Sequence, residues 1–135
     1  MQGFTEGHFP HGCTDGHGRT IVLDVMTEWC TLCAMAAPDI ASCANDLDGQ
    51  GVSFISLMHE NSAAEPPAIV DLQEWIVTYG ASYAVVADGD RVTAEYQTKA
   101  LYPAYVLVGP DMTIEAFLPS PFDCSDVESI LYALP

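Results

Sequence analysis

The sequence predicts a single α/β domain, a central mixed sheet with helices covering both faces. Three observations carry that expectation. Apolar runs of strand length alternate with segments of helical period, and the last two such runs are joined by a turn of hairpin length. The chain has 135 residues, half of them hydrophobic and 16% charged, which suits one buried core and lies far from disordered compositions.

The elements follow in order. Residues 1–19 hold five of the ten glycines and three of the four histidines without apolar period, and read as a loop-rich lead-in to a domain spanning 20–135. Ile21–Met26 has the composition of a buried central strand, broken only by Asp24. From Cys30 to about Asn45, Ala, Met and Ile predict a helix kinked at Pro38. Val52–Met58 reads as a second strand. Pro66 and Pro67 then precede an amphipathic helix in which Ile69, Leu72, Trp75, Ile76 and Tyr79 recur at helical spacing until Gly80. Tyr83–Ala87 is a short strand candidate and Arg91–Lys99 a short helix. Ala104–Val108 and Thr113–Leu118, joined by Gly109-Pro-Asp-Met112, should pair antiparallel. Ser125 and Glu128 form the pattern of a capping box for a last helix.

Charge excludes whole classes of partner. Three Lys+Arg stand against 19 Asp+Glu, a formal charge of −16. With only Arg19, Arg91 and Lys99 positive, no basic patch exists to meet nucleic acid or an anionic membrane. No run approaches the roughly 18 apolar residues of a membrane span, and the N-terminus lacks a basic segment followed by an apolar one. An exported site is favoured over a cytoplasmic one, with any signal or anchor outside this chain.

The chemistry concentrates at Cys30-Thr-Leu-Cys33, where a buried strand runs into a helix. Free backbone N–H groups and the positive helix end stabilise a thiolate there, lowering a free cysteine pKa of about 8.5. Cys30 at the helix start is the expected nucleophile. Cys33, one turn in and more buried, suits a resolving thiol. Half of a zinc site, or two core cysteines, is the other reading, although no second Cys-x-x-Cys or His-x-x-x-His completes a set of about four ligands. Asp24 is either a structural carboxylate or, buried behind Cys33 with a raised pKa, a proton acceptor for it.

The stretch Ile21-Val-Leu-Asp-Val-Met-Thr-Glu-Trp-Cys-Thr-Leu-Cys-Ala-Met-Ala-Ala-Pro38 resembles the active-site segment of the thioredoxin family. Asp24, Trp29, both cysteines, Met35, Ala37 and Pro38 match in register. Tyr102-Pro103-Ala104 looks like that family's cis-proline segment. The extra helix after the second strand and the run Ala104–Asp111 look more like the exported TlpA/ResA kind.

The resemblance implies a thioredoxin-like fold and a thiol-disulfide oxidoreductase. Cys30 would attack, Cys33 resolve and Asp24 accept a proton, while Trp29 shields the disulfide and Tyr102 and Pro103 hold a substrate chain as an added strand. It implies no organic cofactor or metal, and protein thiols and disulfides with a redox partner protein as its partners; the charge of −16 points to a basic one, and a monomer is expected. Thr31-Leu32 replaces the Gly-Pro of general thioredoxins, and Ala34 replaces a frequent Lys.

Two other functions compete. A metal-carrying module would bind copper or zinc through Cys30, Cys33 and a histidine such as His59. A peroxidase would use Thr27, three residues before Cys30, as in the peroxiredoxin Thr-x-x-Cys, although Leu23 stands where that pattern has Pro. His8, His11, Cys13 and His17 fit no standard zinc spacing. Of the other cysteines, Cys43 reads as a buried free thiol. In an oxidising space Cys13 and Cys124, both in polar or glycine surroundings, would bridge and close a loop of about 110 residues. In a reducing one they would be free.

Overall fold

A computed structural model describes residues 18–97 and 101–133. The cluster His8, His11, Cys13 and His17 lies outside the described residues, as does the end of the expected helix at Lys99. The elements are β1 (Thr20–Met26), α1 (Thr31–Leu47), β2 (Val52–Met58), α2 (Ile69–Tyr79), β3 (Ala84–Ala87), β4 (Ala104–Val108), β5 (Ile114–Leu118) and α3 (Cys124–Ala133). Short 3-10 turns cover Asp48–Gln50 and Val92–Tyr96.

Five strands form one sheet in the order β3-β2-β1-β4-β5. β1 runs parallel to β2 and antiparallel to β4, so the most continuously apolar strand takes the centre. The β1–β2 and β2–β3 pairs are parallel and each connection carries a helix, as a parallel crossover requires. The β4–β5 pair is the expected hairpin, with a register irregularity between Leu107 and Val108.

Side chains alternate across β1. Val22 packs with Phe54, Tyr105 and Leu107 against Ile40, Cys43, Ala44 and Leu47 of α1 and Val127 of α3. Met26, two alternate positions on, packs with Cys33 and Ala37 of α1, Met58 of β2 and Trp75 of α2. All three α-helices therefore stand on one face. On the other, Ile21, Val106 and Val108 meet Tyr96 of the 3-10 turn. The two faces are thus unequally clothed: the expected helices on both faces reduce to three α-helices on one and the 3-10 turn on the other.

Three local expectations are corrected. The Arg91–Lys99 helix is a 3-10 turn over Val92–Tyr96, entered through a left-handed Arg91 (φ 56°) and tied by the Asp88 carboxylate, which accepts the N–H groups of Val92 and Thr93 at 2.8 Å each. α3 begins at Cys124, two residues earlier than the Ser125 pattern suggests. Asp123, two positions before Ser125, supplies the cap instead, its Oδ1 accepting the Ser125 N–H at 2.9 Å, because a carboxylate there reaches the first free donors.

The third correction concerns the cysteines. Cys43 is not a free thiol and Cys124 does not bridge to Cys13: Cys43 and Cys124 form a disulfide, their Cα atoms 5.7 Å apart. Cys43 is 1% exposed on the side of α1 that faces the core, where α3 packs against it. The helix packing that juxtaposes them joins residues 81 apart, which spacing along the chain does not reveal.

Candidate functional site

Cys30 is the N-cap of α1. Its backbone is extended (φ −78°, ψ 113°), and its Sγ accepts the Cys33 N–H at 3.1 Å. Serine, threonine or aspartate usually fills that position and satisfies a free donor of the first turn; here sulfur does so. The same donor and the helix dipole favour a thiolate once the bond to Cys33 is reduced. The first turn of α1 holds no acidic residue to oppose this. Cys30 and Cys33 form a disulfide with Cα atoms 5.2 Å apart. In that state both are buried, Cys30 at 6% and Cys33 at 3% exposure, so their accessibilities differ less than the sequence suggests.

Asp24 lies beneath α1, on the face of β1 shared by Val22 and Met26, and is 4% exposed. Its register partners are Ser56 on β2 and Tyr105 on β4. Ser56 donates its hydroxyl to Oδ2 at 2.7 Å, while Oδ1 is buried without a partner. Desolvation pushes the carboxyl up to about 7, the Ser56 bond pulling the other way. It also raises the phenols of Tyr83 and Tyr105. Ser56 was missed in the sequence, and alternation along Val52–Met58 was the signal that could have found it.

Trp29 is 47% exposed. Its indole N–H donates to Glu60 Oε1 at 2.8 Å, and Glu60 is held in turn by Arg91 at 2.6 Å. Its ring meets Tyr102 edge-on, centroids 5.7 Å apart. Tyr102 packs against the cluster containing both cysteines, and the Tyr102–Pro103 peptide is cis. A groove of about 520 Å³ runs from Leu32, between the cysteines, past Leu101, Tyr102 and Pro103 to Phe117 and Leu118 of β5.

The chain segments thus bring Cys30, Cys33, Trp29 and Tyr102 into one neighbourhood, with Asp24 below it. His59 does not join Cys30 and Cys33 as a metal ligand. It is fully buried, and both its ring nitrogens are engaged, by Tyr102 and by Thr93 at 2.8 Å each. Among the described residues, the one trio of possible ligand atoms within 4.8 Å is Glu28, Asp71 and Glu74, three carboxylates that include neither cysteine nor His59.

The AhpC/TSA family model matches residues 11–117. The chain belongs to the AhpC/TSA family. No curated protein matches this AhpC/TSA chain by sequence. Several solved structures share its fold. A secreted Mycobacterium tuberculosis disulfide oxidoreductase homologous to Escherichia coli DsbE is 21% identical, with a TM-score of 0.66 over 90% of this chain and 86% of its own. A putative thioredoxin from Neisseria meningitidis is 19% identical, with a TM-score of 0.70 over 90% and 77%. A thioredoxin-family thiol:disulfide interchange protein from Chlorobium tepidum is 15% identical, with a TM-score of 0.68 over 86% and 79%. The fold is thioredoxin-like.

Proposed function

We propose that this protein is a thiol-disulfide oxidoreductase acting on protein thiols and disulfides. The observation that carries the reading is the disulfide Cys30–Cys33 at the N-cap of α1, its Cys30 sulfur already taking a main-chain N–H. Family membership and structural neighbours described as disulfide oxidoreductases support it.

Starting from the dithiol, the Cys30 thiolate attacks a substrate disulfide. The substrate S–S bond breaks, a mixed disulfide forms, and the departing substrate sulfur takes a proton. Cys33 then attacks the Cys30 sulfur and releases the second substrate thiolate, its own proton passing toward Asp24. Two electrons move to the substrate and the Cys30–Cys33 disulfide remains. The reverse sequence oxidises a substrate dithiol. A carboxyl titrating at about 7 is half-ionised at neutral pH, so it can both take and return that proton.

Tyr102 and Pro103 would hold the substrate backbone beside the groove, with Trp29 as its rim. The charge of −16 favours a basic redox partner. A core disulfide at Cys43–Cys124 favours an oxidising, extracytoplasmic setting, the kind of setting in which the secreted Mycobacterium tuberculosis protein is found.

The test is reduction of a peptide disulfide by the dithiol protein, followed by mass spectrometry. Cys30→Ser should abolish it, and Cys33→Ser should accumulate the mixed disulfide. Turnover that survives Cys30→Ser would sink the reading.

One observation favours a second reading, peroxide reduction: Thr27 is fully buried three residues before Cys30, and its Oγ1 has no partner. Consumption of hydrogen peroxide that needs Thr27 and Cys30 but not Cys33 would favour it over exchange.

A further inference from the structure

Behind Tyr102 stands a polar chain that disulfide exchange does not itself require. His59 Nδ1 lies 2.8 Å from the Tyr102 hydroxyl, and Nε2 lies 2.8 Å from Thr93 Oγ1 and 3.2 Å from Asp88 Oδ2. Hydrogen-bond arithmetic places every proton in it. The Asp88 carboxyl is held below its usual range by the Thr93 and Val92 donors, although burial works the other way, so it accepts only. It takes the Thr93 hydroxyl proton. Thr93 Oγ1 is thereby left to accept, so Nε2 of His59 carries the hydrogen. Burial lowers the His59 pKa and keeps the ring neutral. Nδ1 is therefore bare, and the Tyr102 hydroxyl donates to it.

The consequence is a fixed aromatic ring. Tyr102 meets His59 edge-on, centroids 5.5 Å apart at 87°, and meets Trp29 in the same manner at 88°. Trp29 and Tyr102 are the residues immediately before Cys30 and Pro103. A leucine would fill the His59 volume without needing partners. A fully satisfied polar chain instead selects one geometry.

We infer that His59 is a positioning residue of the exchange site: by taking the Tyr102 hydroxyl it holds, through that ring and Trp29, the aromatic rim on which a substrate chain docks. The inference rests on the exchange function proposed above. His59 touches neither sulfur nor substrate, and it acts by orienting a group that does.

Two measurements on the full chain test it. Ring ¹⁵N spectra should show His59 protonated at Nε2, with an Nδ1 shift that moves when Tyr102→Phe removes the donor. An Nδ1–H tautomer overturns the inference. In peptide-disulfide exchange, His59→Leu and Tyr102→Phe should each raise KM about tenfold while kcat moves less than about twofold, the size of one lost hydrogen bond. The double variant should be no worse than the poorer single one, since both cut the same link. His59→Asn, whose amide oxygen stands in for Nδ1, should recover most of the loss. An unchanged KM in Tyr102→Phe, which keeps the ring and the packing, or additive losses in the double variant, overturns the inference even if His59→Leu fails to fold. Wild-type protein is the control. If it exchanges no peptide disulfide, the function reading fails by itself, and the tautomer result still decides whether the Tyr102–His59 link exists.

Discussion

Ser56 donates its hydroxyl to Asp24 Oδ2 at 2.7 Å from directly across the β1–β2 pairing, leaving Oδ1 with no partner in the core. One bond to a buried carboxylate that can accept several does not balance its desolvation. Burial accordingly pushes the carboxyl up to about 7, so its ionisation is coupled to folding and, in the exchange proposed above, to proton transfer from Cys33.

The sign of that coupling is fixed. Asp24 has a folded pKa of about 7 against 3.8 for an ordinary aspartate, so its protonated form stabilises the fold. Its contribution is fully present below about 3.8 and is lost as pH rises through about 7. Asp24→Asn should therefore be more stable than wild type at pH 8, by on the order of 4 kcal/mol, with the gap closing near pH 4. Urea denaturation at the two pH values measures this. The same variant should lose the rate inflection near neutral pH.

Ser56→Ala removes the one bond that pulls the carboxyl down. The Asp24 midpoint should rise above its wild-type value, seen in the carboxyl ¹³C shift against pH. A lower midpoint would mean that Ser56 does not face Asp24.

Alkylation should separate the cysteines of the reduced protein. Iodoacetamide should modify Cys30 before Cys33, because only the N-cap sulfur is favoured as a thiolate by the first-turn N–H groups. Peptide mapping of briefly quenched samples reads the order.

The Cys43–Cys124 bridge closes a long loop. Replacing both cysteines by alanine should cost up to about 4–5 kcal/mol in the chain-entropy model, with measured losses usually smaller. Denaturation without reductant measures it, and exchange at Cys30–Cys33 should continue at the wild-type rate in the folded variant.

Glu60→Ala releases the Trp29 indole while leaving the core untouched. The expected outcome is a small change in the denaturation midpoint, since the Arg91–Glu60 pair is a surface one, together with a red-shifted, more mobile Trp29 emission. Trp75, 3% exposed in the core, should not report the change.

The sequence disclosed what is local. Cys30, Cys33, Trp29 and Asp24 fall within ten residues, and the strand-to-helix junction that makes Cys30 an N-cap follows from their order. Apolar runs with turn residues between them disclosed the strands and α2. What the sequence concealed depends on packing between remote segments. His59 looked like a spare metal ligand because nothing near it names Tyr102, Thr93 or Asp88, which are 29 or more residues away. Cys43 looked solitary because its partner arrives only when α3 lies on α1. Asp123 escaped as the cap because Ser125 and Glu128 matched a commoner pattern two residues on.

The distribution of charge has a further effect. Arg19 is bound to Ser53, Asp48 and the Val52 carbonyl, and Arg91 to Glu60, so among the described residues both cations are committed within their own molecule. Among the described residues, a neighbouring copy meets acid with no uncommitted arginine or lysine to answer it. Two copies repel at separations reaching the Debye length of about 8 Å in physiological salt, before their sulfurs approach. Under the exchange function proposed above, electrons held by a reduced copy would be kept from idle passage to an oxidised twin and would remain for partners of opposite charge.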